Sequence, residues 1–123
     1  MRSRLLDEVA VLASERYQER YIVHGTKEQY VLPEEVLEAA LGSARNATQK
    51  PSTASLSASE ADAAGEFTQA VEACSIDFQN LTSSNQQLIR EDERWAAART
   101  SARRLLTALN FDLEEWELQE GLK

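Results

Sequence analysis

The sequence predicts a mainly α-helical bundle folded as a single domain, and three observations predict it. Phe67, Val71, Cys74, Phe78 and Leu81 recur at spacings of 4, 3, 4 and 3, which is one stripe of a helix. A second amphipathic run follows with Leu88, Trp95, Ala102, Leu106 and Leu109. Glycine and proline are scarce, at 4 and 2 residues, while Ala, Leu, Glu and Arg abound, which favours helices over many short strands. Two such runs joined by a short polar break are expected to form a long C-terminal helical hairpin. The length of 123 residues suits one domain spanning 1–123, and a hydrophobic share of 42% is enough for a core.

Four principal helices and a short fifth are expected. The first covers about 3–20, with Leu5, Val9 and Leu12 on one line and Asp7 and Glu8 in the early turns, where the helix dipole favours acid. Ser14-Glu15 can restart a helix, so a kink near Ala13 is compatible with the pattern. Tyr21-Ile22-Val23 and Tyr30-Val31-Leu32 are β-favouring triplets on either side of Gly25. They predict either a small β ribbon near 20–32 or a loop. Pro33 opens a helix over 33–42, with Glu34 and Glu35 at its positive end and Gly42 placed for a C-terminal cap.

Residues 43–58 are polar, small and aperiodic, and read as a mobile loop with Leu56 as its anchor. Ser57 and Glu60 have the form of a capping box for a helix over 58–81, which carries the seam. Within that helix Ile76 falls on the far side from the seam. Ser84 with Gln87 can cap the next helix, 85–109, and Asn110 suits its end. Asp112 and the residues after it start the short acidic helix bearing Trp116 and Leu118.

The predicted core is Leu5, Val9, Leu12, Tyr17, Val36, Leu37, Leu41, Phe67, Val71, Cys74, Phe78, Leu81, Leu88, Trp95, Leu105, Leu106 and Leu109.

The net charge of −8 argues against nucleic acid or an anionic membrane as partner, because both repel acid at long range, and permits a basic protein. A single cysteine excludes an intramolecular disulfide and a thiolate metal cluster, and Cys74 reads as a small buried hydrophobe. The N-terminal segment turns acidic early and lacks a signal-peptide pattern, and no run approaches a membrane span of roughly 20 apolar residues. A cytoplasmic location is expected.

Catalytic chemistry has little to build on. His24 is the one histidine and reads as a solvated loop residue. Carboxylate pairs such as Glu34-Glu35 and Glu114-Glu115 diverge by about 100° on a helix and do not share a proton. No phosphate loop, nucleophile elbow or metal-ligand spacing is present, so no cofactor and no metal are expected. An enzyme would need Glu34 or Glu38 brought beside His24. Arg90, Arg94 and Arg104 read as internal charge balance for the acidic segments.

The tail 111–123 mixes five acids with Phe111, Leu113, Trp116 and Leu118. A tryptophan in an acidic surround suits a basic partner, which makes Asp112, Glu114, Glu115, Trp116, Glu117 and Glu120 the candidate partner-binding residues. The alternative is that Trp116 folds back over the end of the hairpin.

The segment LLDEVAVLASERYQERYIV, followed downstream by DERWAAARTSARRLL, resembles the layout of small acidic bacterial toxin-immunity or antagonist proteins, around Leu5, Tyr17, Gln18 and Trp95. The resemblance implies a stoichiometric inhibitor that blocks a basic enzyme, and carries over no functional residue. The alternative is a homo-oligomeric structural or adaptor protein, such as a homodimer, in which the 67–81 seam pairs between chains.

Overall fold

The computed structural model describes residues 2–26, 28–52 and 55–122. Residue 27 of the predicted ribbon and residues 53–54 of the predicted loop lie outside the described residues. The described chain is mainly helical and contains no strand. Its α-helices are α1 (Arg2–Ala13), α2 (Glu15–Gln18), α3 (Pro33–Gln49), α4 (Ala58–Cys74), α5 (Asn85–Glu91), α6 (Glu93–Ala108) and α7 (Leu113–Gln119). A π-helical turn, Glu19–Val23, extends α2, and a 3₁₀ turn, Phe78–Asn80, lies between α4 and α5. The four long helices close a ring: α1 packs on α3, α3 on α4, α4 on α6 and α6 on α1.

The ring is filled by Leu5, Val9 and Leu12 of α1, Val36 and Leu37 of α3, Phe67 and Val71 of α4, and Trp95, Leu105 and Leu106 of α6. Trp95 is the largest fully buried side chain. Alanines let the helices approach closely. Ala10, Ala40, Ala44, Ala64, Ala98 and Ala102 are all inaccessible to solvent. Of the expected core, Tyr17, Leu41, Cys74, Phe78 and Leu81 are only half-buried and pack against its margin.

Each expected long helix is remodelled at a polar residue. The helix expected over 3–20 breaks at Ser14, whose extended backbone and side-chain hydroxyl cap α2 by accepting from the Tyr17 N–H. The helix expected over 85–109 breaks at Asp92, whose carboxylate accepts from the Arg94 and Trp95 N–H groups and caps α6. The seam helix stops at Cys74 because Ser75 turns left-handed, φ 53°. The carboxylate of Asp77 then caps the 3₁₀ turn that carries Phe78. The long hairpin is therefore not formed. α4 and α6 do pack together, but residues 75–92 between them hold a 3₁₀ turn and α5 in place of a short break.

The polar stretch expected as a loop over 43–58 is helical up to Gln49. Ala40, Ala44 and Ala47 continue the buried face of Val36 and Leu37, and Gly42 lies inside α3 and caps nothing. The predicted ribbon is also replaced. Tyr21, Ile22 and Val23 are π-helical, and the Val31 N–H donates to the Tyr21 carbonyl at 2.9 Å as the loop returns. Gly25 is required there by close approach, since a Cβ would fall 2.5 Å from the Tyr30 ring and 2.6 Å from the Tyr21 carbonyl oxygen.

Other caps form as the residues dictate. Ser57 with Glu60 and Ser84 with Gln87 both make complete capping boxes, and Pro33 occupies the first turn of α3. Asn110, at φ 56°, ends α6 in a Schellman motif, with the Phe111 N–H donating to the Leu106 carbonyl at 2.9 Å. Gly121 does the same for α7, with the Leu122 N–H donating to the Glu117 carbonyl at 2.8 Å.

Candidate interaction surface

The acidic tail folds into α7, and its amphipathic pattern divides the six candidate partner-binding residues between two faces. Trp116 and Glu117 point inward and are each only 7% exposed. The Trp116 ring lies 5.9 Å from the Tyr17 ring, which in turn sits 4.7 Å from Tyr21. Trp116 therefore folds back on the bundle and is not a surface anchor. Asp112, Glu114, Glu115 and Glu120 are exposed. Asp112 also caps the helix by accepting from the Glu115 N–H at 3.1 Å. Leu118 stands among these acids and is 57% exposed, the most exposed large hydrophobic of the described residues.

Polar contacts add to the burial of Trp116 and Leu122 in holding α7 down. The Ser14 hydroxyl donates to Glu117 Oε2 at 2.6 Å in a buried position. Arg16 reaches to 3.9 Å of the other Glu117 oxygen. Ser14 belongs to the break between α1 and α2, where the last carbonyls of α1 need partners. All of them find one. The Ser14 N–H donates to Ala10, the Gln18 amide donates to both Val11 and Leu12, and Arg103 Nε donates to Ala13. Gln18 is fully buried, and its own oxygen accepts from the Trp95 indole at 3.0 Å. A buried carboxamide with both ends satisfied is a lock between α1, α2 and α6.

Charges around this lock are largely paired. Glu15 sits 3.4 Å from both Arg99 and Arg103. Arg90 grips Glu19 with a two-nitrogen fork at 2.6–3.0 Å, which holds the Glu19 carboxyl below its ordinary range. Burial lowers the Arg99 guanidinium and raises the Tyr17 phenol, the latter aided by Tyr21 and Glu120. Arg94, read from the sequence as internal charge balance, is tied to Asp92 at 2.9 Å.

His24, Glu34 and Glu38 line separate grooves. His24 lines a groove with Arg16 and Arg20, Glu38 lines the crevice between α1 and α3, and Glu34 lies beside Tyr30 and Leu32. Burial raises the Cys74 thiol, the wrong direction for a thiolate nucleophile. Among the described residues no group of three or more His, Cys, Asp or Glu is placed to hold a metal ion, and no helix is long and apolar enough to cross a membrane. A second apolar spot is small: Tyr30 and Leu32, 44% and 45% exposed, border a groove of about 230 Å³ with Phe78 and Leu81.

Sequence reasoning found the acidic helix but not Leu118 as its exposed apolar residue. The signal was in the spacing: Trp116 and Leu122 share the inner side, and Leu118 falls opposite. Ser14 and Gln18 were not singled out as a buried polar pair, since polar residues in a helical run read as its solvated face.

Fold and surface together define a class: a mainly α-helical protein with a short acidic helix strapped across the end of its bundle. Comparison with protein-family models, with curated proteins and with solved structures finds no match for the chain.

Proposed function

We propose that this chain is a non-catalytic acidic protein-binding module of the immunity or inhibitor kind, which blocks a basic partner in the bacterial cytoplasm. The observation that supports the reading is the outer face of α7. Glu114 and Glu115, four and three residues before Leu118, share its exposed side of α7, Asp112 and Glu120 are exposed at the two ends of the helix, and no cation occurs within α7 itself. An exposed apolar residue beside like charges is suited to a partner that presents lysines or arginines around a hydrophobic contact. The net charge of −8 adds long-range attraction to a basic protein, which speeds encounter and is screened by salt. Leu118 takes the anchoring role in this reading, because Trp116 is committed to Tyr17.

The test is capture from a bacterial lysate at low and high salt, with the bound proteins identified by mass. The native chain is expected to retain a basic partner at low salt and release it at high salt. A Glu115→Lys, Glu120→Lys double variant reverses charge on exposed residues without touching the Ser14–Glu117 bond. It is expected to retain on the order of 10-fold less partner, with an unchanged far-UV spectrum. Equal capture by native and variant chains would remove this face from the function.

A further inference from the structure

Lysine and arginine are outnumbered in this chain, 13 against 21 acids, yet three basic side chains stand together. Arg16, Arg20 and His24 succeed one another at intervals of four residues and line one groove of about 620 Å³, together with Gly121 and Leu122 after α7. Two acids, Glu15 and Glu19, border the same groove, but both are already engaged from the other side. Glu15 lies between Arg99 and Arg103, and Glu19 is held in the fork of Arg90. In the repeat Glu-Arg-x-x-Glu-Arg the acids pair with arginines of α5 and α6, and Glu19 also faces His24, while acids and bases both line the groove.

The π-helical turn completes the row. Its bond runs from the His24 N–H to the Glu19 carbonyl at 2.9 Å, five residues back. On an α-helix residues four apart drift by about 40° in one direction. A π turn is wider, so the same step drifts by roughly 30° in the other. The two drifts nearly cancel, which brings His24 back onto the line of Arg16 and Arg20. Such π turns are rare, and they occur often at functional sites.

Both arginines keep donor capacity. Arg20 Nη1 donates to the Gly121 carbonyl at 2.9 Å, and its guanidinium lies 5.5 Å from the Tyr21 ring centre. That fixes the side chain and leaves other N–H groups of the fork. Arg16 stands 3.9 Å from Glu117, beyond hydrogen-bond length, and is 57% exposed. Guanidiniums bind phosphate and carboxylate oxygens in a bidentate manner, and their alkyl stems supply an apolar wall.

We infer that Arg16, Arg20 and His24 form a binding site for a small molecule that carries a terminal oxyanion, phosphate or carboxylate, on a compact apolar body. The site lies off the outer face of α7 and does not depend on the protein-binding reading. The test is a titration of the isotope-labelled full chain with phenyl phosphate and, separately, with benzoate, at constant ionic strength and followed by amide NMR. Saturable shifts confined to Arg16, Arg20, His24 and Gly121 are expected. Saturation by phenyl phosphate alone assigns a phosphate site, and saturation by benzoate assigns one that accepts carboxylates. Arg20→Gln and Arg16→Gln are each expected to weaken binding by about 10-fold, equivalent to about 1.4 kcal/mol. Arg16→Gln leaves the Arg20–Gly121 and Ser14–Glu117 bonds in place, and unchanged Trp116 amide shifts in the unliganded variant are the check that its loss of binding is not a loss of α7 docking. Shifts that rise linearly and spread over Arg45, Arg94 and Arg104, or equal affinity in the Arg16→Gln chain, would overturn the inference.

Discussion

α6 packs on two neighbours in two different ways. Towards α4 the packed helices bring small and apolar buried groups, Ala64, Phe67 and Val71 of α4 with Ala98, Ala102 and Leu105 of α6, while Glu66 and Arg104 border the groove beside them. Towards α1 and α2 it is made through polar atoms: the Trp95 indole and Arg99 reach Gln18, and Arg103 reaches the Ala13 carbonyl and Glu15. The first contact needs only shape, and its cost of disruption scales with area and cavity. The second exists because α1 ends at Ser14 inside the bundle, where four carbonyls would otherwise be buried without donors. A broken helix demands specific partners, and a continuous one does not. The polar side is therefore where this fold is most narrowly specified.

The largest expected effect falls on the residue that serves both kinds of contact. Trp95 is fully buried and also donates to Gln18. Trp95→Ala is expected to cost about 3–5 kcal/mol in urea unfolding, from lost burial and the cavity left behind. Phe67→Ala on the α4 side falls in the same range. The comparison is sharpened by where the damage appears. In the Trp95 variant, amide exchange at Gln18 and Ile22 is expected to rise above that of the α3–α4 contact, because the lock loses its donor. Uniform exchange in both variants would make the two sides of α6 equivalent.

Gln18→Leu isolates the polar term. Leucine has similar bulk but leaves the Val11 and Leu12 carbonyls and the Trp95 indole without the partners they have now. Burying unsatisfied groups of this kind is expected to cost roughly 1–3 kcal/mol, measured by the same unfolding experiment. A neutral Gln18→Leu would break the comparison, since the amide would then contribute no more than an apolar filler.

The two sides also differ in how far they could be read from the chain. Apolar periodicity located the core of α1, α4 and α6, and short polar motifs located both capping boxes, the Pro33 start and the Asn110 stop. These signals are local, and each carries its own physical cause. Ser14-Glu15 offered a restart of the first helix and the break falls there, but Asp92 gave no such sign, because a polar residue inside a helical pattern looks the same whether it caps a new helix or faces water. The seam misled in the opposite direction. Phe78 and Leu81 kept helical spacing after the helix had ended at Ser75, and they reach the margin of the core from a 3₁₀ turn and its flank. Of the candidate surface, the acidic charges of α7 were legible. Its two faces were legible in part: the fold-back of Trp116 stood as the alternative reading, but the burial of Glu117 against Ser14, about a hundred residues away in sequence, left no local sign.

The smallest effect belongs to the apolar side and tests the reach of α3. Gly42 was expected to stop that helix, yet it sits inside one that runs from Pro33 to Gln49. A Cβ built there meets nothing within 4 Å, so alanine would enter without a clash. Its helical backbone suits alanine as well as glycine, and alanine restricts the unfolded chain more. Gly42→Ala is therefore expected to stabilise the protein by about 0.4–1 kcal/mol and raise the melting midpoint. If residues 43–49 were instead a loop capped by a left-handed glycine, the same substitution would strain the backbone and destabilise the fold. The sign of one measurement thus separates a helix that continues on buried alanines from a loop that begins at Gly42.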